Sequence, residues 1–443
     1  MNKVLYFYRL MKEGKFDFNL DIIPSPQIVK KFYLLDYFLI LLQSCSLSNE
    51  YHKIFSKFKL LKEKERLGES KYRKLVIDES EELSETQVKR YMYTFDQVII
   101  ESENCGLIKK KSNQIQLTKR GQKCLILADN SKRIFYNELL AILEAKYHSF
   151  YQLLNLCYNQ NKQKGGLLIF PIYSPRKLGF DKKEMHTTYH ILQYSYKLRL
   201  RLEKDIESNF GKKKSLKNFE DELLLKLFED KIISNIKDKK FNKAKYNSII
   251  SRFRKYWLNI FLKEIYKYPY SFETFNIWVE RGKQLGVIHT TEFYPNFDGR
   301  LVYPTSVILK KNSSLDLVNS YNYSDGQSLF IHKPKWNNGN NPNRFFEALT
   351  NAYFDLKNNR KTTFIRIADL REKVCYKMRI PTFIFNEFLE LAYNENLKGE
   401  TKIKISLEAD RLPHETNAMY LKREPVIINN QQKNIVAIDY KKP

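Results

Sequence analysis

Residues 84–127 constrain the fold most, because a helical pattern is followed there by two strand-like segments. Ser84 and Glu85 mark a helix start, where free N–H groups and the helix dipole favour such side chains. Gly106 marks the helix end, at a position where a left-handed residue is usual. Between them, four apolar residues recur at helical spacing: Val88, Met92, Phe95 and Ile99. The pattern predicts an amphipathic helix that ends at Gly106.

Two short strand-like segments follow this helix. Residues 107–111 and 115–118 flank a polar Ser-Asn turn, so they predict a two-stranded ribbon. Thr118 and Gly121 then lead into another apolar run that ends at Leu127.

This order resembles the recognition helix and wing of winged-helix proteins, particularly the transcription-factor-like branch. The resemblance covers residues 84–127 and includes no catalytic signature. It implies that polar side chains of the helix enter the major groove and that wing lysines contact phosphates. The candidate DNA-contacting residues are Thr86, Gln87, Lys89, Arg90 and Tyr93 on the helix, and Lys109, Lys110 and Lys111 on the wing. Winged helices also serve as dimerisation and packing modules, which is the alternative for this region.

A second helix-and-ribbon pattern occupies residues 271–303. Its helix begins at Ser271 and stops at Gly286, and strands are predicted at 287–293 and 300–303. Inward-facing positions are predicted for Phe275, Trp278, Val279 and Leu285. The exposed candidates for DNA contact are Asn276, Arg281 and Lys283.

A long helix is predicted just before this second pattern, from about residue 243 to 268. It contributes Arg252 and Arg254 as further candidates for backbone contact, beside Tyr256 and Trp257. Aromatic residues at helical spacing are more typical of a core, and we favour a core position for Trp257.

A third copy of the pattern is predicted near the C-terminal end of the sequence. Its helices are predicted at 344–357, 369–379 and 381–393, and its strands at 364–367, 402–406 and 426–439. The last of these helices exposes Asn386, Glu387 and Glu390, and its carboxylates would repel phosphate. We therefore interpret this copy as a protein interface or packing unit.

These patterns predict a mainly α fold with short β-wings (α+β), in which two to three winged-helix-like modules are joined by long helices. The predicted domains are residues 1–130 (a hairpin at 3–23 plus a winged-helix domain), 131–320 (a helical region ending in the second unit), a linker at 321–343, and 344–443 (the third unit).

The overall charge indicates an anionic partner. The net charge is +27 and the isoelectric point is about 9.5, which favours nucleic acid. A genome of biased composition also enriches lysine, but such a bias does not by itself create a net excess of this size. Apolar residues make up 43% of the chain, enough for buried cores, so global disorder is not expected.

The cysteine pattern and the apolar runs bear on location. The 5 cysteines are widely spaced and form no CxxC pair, so neither a disulfide framework nor a cysteine zinc site is indicated. The longest apolar run, residues 32–42, contains Asp36 and is too short to span a bilayer. We expect a cytoplasmic protein with no signal peptide and no membrane partner.

Three patterns were considered as sites of chemistry. The Gly165–Gly166 pair lacks the spacing and the Lys of a phosphate-binding loop. Glu400-Thr401-Lys402 has the Glu-x-Lys spacing of metal nucleases, but no suitable Asp precedes it. His186 and His190 could share a helix face for zinc, with Glu184 or His148 as a third ligand, although hydrogen-bonded histidines fit better. We therefore assign no catalytic, cofactor-binding or metal residue, and we expect no enzymatic activity.

The arrangement of several such modules in one basic chain resembles the recognition regions of type IIS restriction endonucleases and subunits of prokaryotic restriction and phage-defence machines. It implies a non-catalytic double-stranded-DNA-binding subunit of a defence or DNA-processing complex, with protein partners. The alternatives are a structural adaptor or dimerisation subunit, a restriction-type nuclease with an unrecognised active site, and a plasmid replication initiator. A homodimer is compatible with each.

Overall fold

A computed structural model describes the protein at residues 29–67, 85–160, 166–169, 258–259, 262–263, 266–291, 300–305, 317–322, 328–332, 334–360, 362–411, 420 and 423–440. The chain divides into two compact units. The smaller comprises Met1–Gln27, Asn155–Asn276 and Thr291–Tyr303, and the larger comprises Ile28–Leu154, Ile277–Thr290 and Pro304–Pro443.

Helices dominate the described residues, and the strands form small antiparallel sheets. The helices are α1 (Asp36–Leu47), α2 (Tyr51–Leu67), α3 (Glu85–Asn104), α4 (Lys119–Asn130), α5 (Lys132–Lys146), α6 (His148–Gln160), α7 (Phe272–Leu285), α8 (Asn341–Arg360), α9 (Ile367–Met378) and α10 (Thr382–Leu397). The strands are β1 (Ile108–Lys111), β2 (Gln114–Leu117), β3 (Leu167–Ile169), β4 (Ile288–Thr291), β5 (Arg300–Pro304), β6 (Leu317–Asn322), β7 (Ser328–His332), β8 (Ile365–Arg366), β9 (Ile403–Glu408), β10 (Val426–Ile428), β11 (Gln431–Lys433) and β12 (Ile435–Tyr440). The predicted mainly α fold with small strands is confirmed at this level.

The helices α3, α7 and α10 end in the same way, and each of them is followed by strands. The residue after the last turn is Gly106, Gly286 or Gly399, with φ of +69°, +82° and +84°. The next N–H donates to the carbonyl five residues back: Leu107 to Ser102 (2.9 Å), Val287 to Gly282 (3.1 Å) and Glu400 to Glu395 (3.1 Å). This bond satisfies a carbonyl that the helix leaves unpaired, and glycine adopts the left-handed conformation without steric cost. We call α3–β1–β2, α7–β4–β5 and α10–β9–β12 the first, second and third repeats.

The first and third repeats also share a sheet order. In the third, β12 lies between β8 and β9, and both pairings are antiparallel. In the first, β2 pairs with β1 and also meets the segment before α2 through an antiparallel bridge between Glu50 and Gln114. Two backbone bonds of 2.9 Å support this bridge, from Ile115 N to Asn49 O and from Tyr51 N to Asn113 O. In the first repeat the pairing segment lies between α1 and α2, and in the third it lies between α8 and α9. In both cases this segment pairs with the last strand of the repeat.

Aromatic clusters form the cores beside these repeats. The Phe95 ring of α3 lies 5.3, 5.2 and 5.1 Å from the rings of Tyr51, Phe55 and Phe58 on α2. Beside the third repeat, the buried Trp336 ring contacts Phe345 at 5.7 Å and Phe388 at 5.1 Å. These contacts fix α3 and α10 by one face each, since large aromatic side chains bury much apolar area.

Several predicted boundaries differ from the observed ones. Residues 131–160, for which the sequence predicts one helix, form the two helices α5 and α6, and residues 135–143 of α5 are buried. The segment predicted as a linker, 321–343, contains β7 and the buried Trp336. Turn-forming asparagines dominated that prediction, whereas Trp336 anchors the segment by donating from Nε1 to Glu395 Oε1 at 2.6 Å. The predicted hairpin at 3–23 lies outside the described residues.

Each helix in the part of the chain that the structure describes is too short or too polar to span a bilayer.

Candidate nucleic-acid interface

The N-terminal half of α3 presents polar side chains to solvent, while its C-terminal half is anchored. Phe95, Val98 and Ile99 are buried. Met92, which the helical pattern placed on the same apolar face, is 39% exposed. The α2 rings meet α3 at Phe95, one turn beyond Met92. The first two turns of α3 therefore project from the packed core.

The candidate residues of α3 lie on this projecting part. Thr86, Lys89, Arg90 and Tyr93 are exposed, whereas the side chain of Gln87 lies outside the described set. Lys89 Nζ lies 3.5 Å from a carboxylate oxygen of Glu85, and both side chains are largely in water. A surface pair of this kind contributes little to stability, so a phosphate can replace the carboxylate at small cost.

The three lysines of the predicted wing occupy β1, but they do not share one face. Successive strand residues alternate between faces. Ile108 is buried, and Lys110 lies on the same face two residues later. Lys109 and Lys111 lie on the opposite face, where their cross-strand partners are Gln116 and Gln114. The outer face of the ribbon is therefore polar, with two exposed lysines.

Lys110 is directed toward the body of the repeat. Its Nζ lies 5.2 Å from the centroid of the Tyr51 ring, within cation–π range. The Tyr51 hydroxyl donates to Asp96 Oδ1 of α3 at 2.7 Å. Burial, followed by this carboxylate, raises the pKa of Tyr51 to about 12, so the hydroxyl keeps its proton. Tyr51 thus links the inner face of the ribbon to the middle of α3.

This link relates the ribbon to the exposed part of α3. Lys89 precedes Asp96 by seven residues, which places it on the same side of the helix about 10 Å along the axis. We call Lys89, Arg90, Lys109 and Lys111 the basic face. Lys89 and Arg90 lie on the helix and Lys109 and Lys111 on the outer side of the ribbon, so the basic face is two cationic patches and not an unbroken track.

The base of the ribbon is closed by Thr118. Its Oγ1 donates to Gly106 O at 2.6 Å, and its backbone N donates to Leu107 O at 3.0 Å. The same oxygen accepts from Gly121 N at 3.1 Å and so caps α4. A Cβ on Gly121 would lie 2.1 Å from Leu107 O, which explains the glycine there. The Leu-Thr-x-x-Gly sequence thus joins the helix end to the ribbon.

The second repeat uses the same closure. Thr305 donates from Oγ1 to Gly286 O at 2.6 Å and from its backbone N to Val287 O at 3.1 Å. Sequence reasoning missed this match between Thr118 and Thr305, although a threonine follows the ribbon in both places.

Arg281 of the second repeat does not contact solvent. We expected it to be exposed, and this expectation is wrong: Arg281 and Glu101 are both 0% exposed. Arg281 Nη1 lies 2.5 Å from Glu101 Oε1, and Nη2 lies 3.0 Å from Oε2. The guanidinium also donates to Phe32 O at 3.0 Å and stands over the Phe32 ring at 4.4 Å. A guanidinium occupied on all sides cannot bind phosphate, so Arg281 is removed from the candidates.

The other candidates near the second repeat are less exposed than expected or lie outside the described residues. Asn276 is half-buried, and Lys283 is half-buried and pairs with Glu280 at 3.2 Å. Arg252 and Arg254 lie outside the described residues, as does Trp257. The inward positions of Phe275, Trp278, Val279 and Leu285 are confirmed, since all four are buried.

The third repeat is occupied by contacts within the larger unit. Asn386, Glu387 and Glu390, expected to be exposed, are half-buried. Glu390 Oε1 accepts from Asn429 N at 3.1 Å, so the turn between β10 and β11 lies beside α10. Sequence reasoning did not anticipate this cover, because β10 and β11 were read as part of one long strand.

The patterns considered for chemistry do not assemble in the described part of the chain. Glu400 and Lys402 were expected on a strand, but they lie in the turn before β9. No group of three or more His, Cys, Asp or Glu side chains suited to a metal occurs among the described residues. His186, His190 and Glu184 lie outside them.

The cysteines are buried as well. All five are free and buried. Burial raises the pKa of Cys45, Cys105 and Cys124 to about 12, which keeps them protonated. A protonated, buried thiol is a poor nucleophile.

Two further polar side chains, the half-buried Arg133 and the buried His289, join the repeats, and the sequence alone does not reveal them. Arg133 of α5 donates to Gln284 O at 3.1 Å and to Leu285 O at 3.3 Å, so it caps the end of α7. Burial lowers the pKa of Arg133 to about 10. His289 of β4 shares a 2.9 Å hydrogen bond between Nε2 and Thr382 Oγ1, and burial lowers its pKa to about 4.

Comparisons with protein-family models, with curated proteins and with solved structures found no match for this chain.

Proposed function

We propose that the first and third repeats, with the helices that precede them, are winged-helix units and that the protein binds double-stranded DNA. The order helix, short strand segment, helix, helix and ribbon supports this reading, because the short segment pairs with the last ribbon strand in both. The protein acts in this proposal as a non-catalytic DNA-binding subunit of a prokaryotic defence or DNA-processing complex.

One observation carries the proposal: the helix of the first repeat projects its basic N-terminal half into solvent. Lys89 and Arg90 are exposed there, beside the exposed Thr86 and Tyr93. A helix of about 10–12 Å diameter fits the major groove of B-form DNA, and such side chains reach base edges or phosphates. The net charge of +27 adds a sequence-independent attraction to the duplex.

The ribbon supplies backbone contacts. Lys109 and Lys111 share the outer face of β1 with two glutamines across the strand pair. Cationic and amide side chains on a wing hold a duplex in register without reading its sequence. Lys110 contributes less, because its ammonium stands over Tyr51.

The test is duplex binding by a variant of the projecting helix. Lys89→Gln/Arg90→Gln is compared with Lys377→Gln/Lys398→Gln, which removes the same charge from exposed positions on α9 and after α10. Lys377 forms a surface ion pair with Glu347 at 3.3 Å, just as Lys89 does with Glu85, so each variant loses one such pair.

Fluorescence anisotropy with a labelled random-sequence duplex gives the dissociation constant of each protein. We expect a loss of about tenfold or more for the α3 variant, equivalent to about 1.4 kcal/mol or more, and a change of less than about threefold for the control. Equal losses in the two variants would mean that only net charge matters. Absence of binding by the unaltered protein at low salt would refute the proposed function.

A further inference from the structure

The helices α3, α7 and α10 share one ending but differ in how much of their surface reaches solvent. Exposed residues recur along α3 from Glu85 to Asn104, whereas Glu273 is the exposed residue of α7 and Leu391 and Leu397 are those of α10. The ability of each repeat to meet a partner therefore differs, despite the common architecture.

The part of α7 within the larger unit is core. Trp278 and Arg281 are both fully buried. Trp278 donates from Nε1 to Ser149 Oγ at 2.8 Å, and its ring stacks on Phe150 at 4.7 Å. Arg281 is held by Glu101 of the first repeat. Entry of this helix into a DNA groove would require breaking these contacts.

The N-terminus of α10 is covered by the second repeat and α5. Thr382 shares a hydrogen bond with His289, and the centroid of the Phe383 ring lies 3.8 Å from the guanidinium carbon of Arg133. Gly286 approaches the same ring so closely that a Cβ there would lie 2.4 Å from Phe383. Residues at a helix N-terminus are the ones that reach base edges in helix-turn-helix proteins, and here Thr382 and Phe383 are half-buried and engaged in contacts within the larger unit.

A second cover lies along the side of α10. Asn429, in the turn between β10 and β11, donates from its backbone N to Glu390 and from Nδ2 to Asn394 Oδ1 at 3.2 Å. The carboxylates of Glu387 and Glu390 add a charge of the same sign as phosphate. The surface of α10 is thus both occupied and electrostatically unsuited to a duplex.

We infer that, of the helices that the structure describes, α3 alone reads DNA, and that its ligand is a single major-groove segment of B-form duplex, about one helical turn in length. The second and third repeats hold this reader in place through the Arg281–Glu101, Arg133 and His289 contacts. This inference rests on the proposed function. It excludes tandem reading of two successive grooves by the repeats of one molecule, and it excludes duplex RNA, whose major groove is too deep and narrow for a helix.

The first test measures the footprint. Random-sequence DNA duplexes from 8 to about 30 base pairs are titrated at several salt concentrations, since the slope of log affinity against log salt reports the phosphates neutralised. We expect the slope to level off near 12 base pairs, about one helical turn plus its flanking phosphates. A slope that rises until about two turns would overturn the single-reader inference while leaving DNA binding intact.

The second test uses a matched pair of ribbon variants. Lys109→Glu/Lys111→Glu alters the first repeat, and Lys402→Glu/Lys404→Glu alters exposed lysines two residues apart at β9 of the third. We expect the first variant to lose at least tenfold in affinity and about 1.8 in salt slope, and the second to change affinity less than about threefold. Circular-dichroism melting confirms that both variants fold. Equal losses would show that the third repeat also contacts DNA.

The third test replaces the DNA duplex with duplex RNA of the same sequence and length. We expect RNA to bind at least tenfold more weakly than DNA under identical salt. Equal affinity would overturn the groove assignment, because the only surface shared by the two duplexes would then be their phosphates. Failure of both duplexes to bind would instead refute the proposed function itself.

Discussion

Arg281 and Glu101 form a bidentate ion pair in which neither side chain touches solvent. They lie 180 residues apart in the sequence and near the C-terminal ends of α7 and α3. The pair therefore joins the second repeat to the first. It fixes the C-terminal end of α3, whose N-terminal end carries Lys89 and Arg90.

Removal of one partner should destabilise the protein strongly. We expect Arg281→Met to lower the free energy of unfolding by about 3–5 kcal/mol, because Glu101 is left charged and unpaired in the core. Denaturant unfolding of the larger unit measures this. The double variant Arg281→Met/Glu101→Leu should lose less than Arg281→Met alone, because it removes the stranded charge. A loss of less than about 0.5 kcal/mol for Arg281→Met, as expected for an exposed position, would contradict the burial of this ion pair.

The threonine closures should contribute similarly in two repeats. We expect Thr118→Ala and Thr305→Ala each to lower the free energy of unfolding by about 1–2 kcal/mol, because each removes a hydroxyl that donates to a helix-end carbonyl. Thermal or denaturant unfolding provides the values. Thr86→Ala, at an exposed position on α3, is the matched control and should stay within about 0.5 kcal/mol. A large effect at only one of the two sites would show that the two closures contribute unequally to stability, although their hydrogen bonds are alike.

Acid should weaken the contact between the second and third repeats. The pKa of His289 in the folded protein is about 4, below its ordinary value of 6.5. Between these values the unfolded chain binds a proton that the folded protein does not, so stability present above pH 6.5 is lost as the pH falls toward 4. The full loss corresponds to about 3 kcal/mol.

Denaturant unfolding from pH 7 to pH 4 tests this dependence. In His289→Gln the decline should be shallower, since the titrating imidazole is gone. His148→Gln, at an exposed position, should leave the slope as it is in the unaltered protein. Parallel curves for all three proteins would show that carboxylates alone govern acid unfolding.

The lysines of β1 should differ in their contribution to DNA binding. We expect Lys109→Gln/Lys111→Gln to reduce the salt slope by about 0.9 for each lost phosphate contact. Lys110→Gln should reduce it less, because that ammonium lies over Tyr51. Affinities measured on duplexes of unrelated sequence should fall equally, since phosphate contacts carry no sequence information. An unchanged slope in the double variant would remove the ribbon from the interface.

Local patterns in the sequence predict much of the fold, because they report on contacts between near neighbours. Gly106 and Gly286 were placed correctly as helix ends, since a left-handed residue is needed there whatever the rest of the chain does. The helix α10 and the strand β9 also lie within a few residues of the predicted bounds.

Long-range pairing is what the sequence alone does not reveal. Arg281 follows the spacing of an exposed helical position, and only a buried carboxylate far earlier in the chain places it in the core. In the same way, Asn429 covers α10 through a contact 39 residues away. Reading helix faces by periodicity assigns such residues to solvent, because the partner that buries them is not part of the pattern.

The distance in sequence between Glu101 and Arg281 also has a consequence for protein synthesis. The ribosome completes α1 to α4 well before Arg281 is made, so the nascent first repeat holds a carboxylate with no counter-charge in its core. The first repeat therefore becomes stable only after α7 has been translated. Fragments that stop short of that helix should be substrates for chaperones or proteases. Expression of the first repeat by itself, without a partner helix or a substitution at Glu101, is therefore expected to give a poorly folded product.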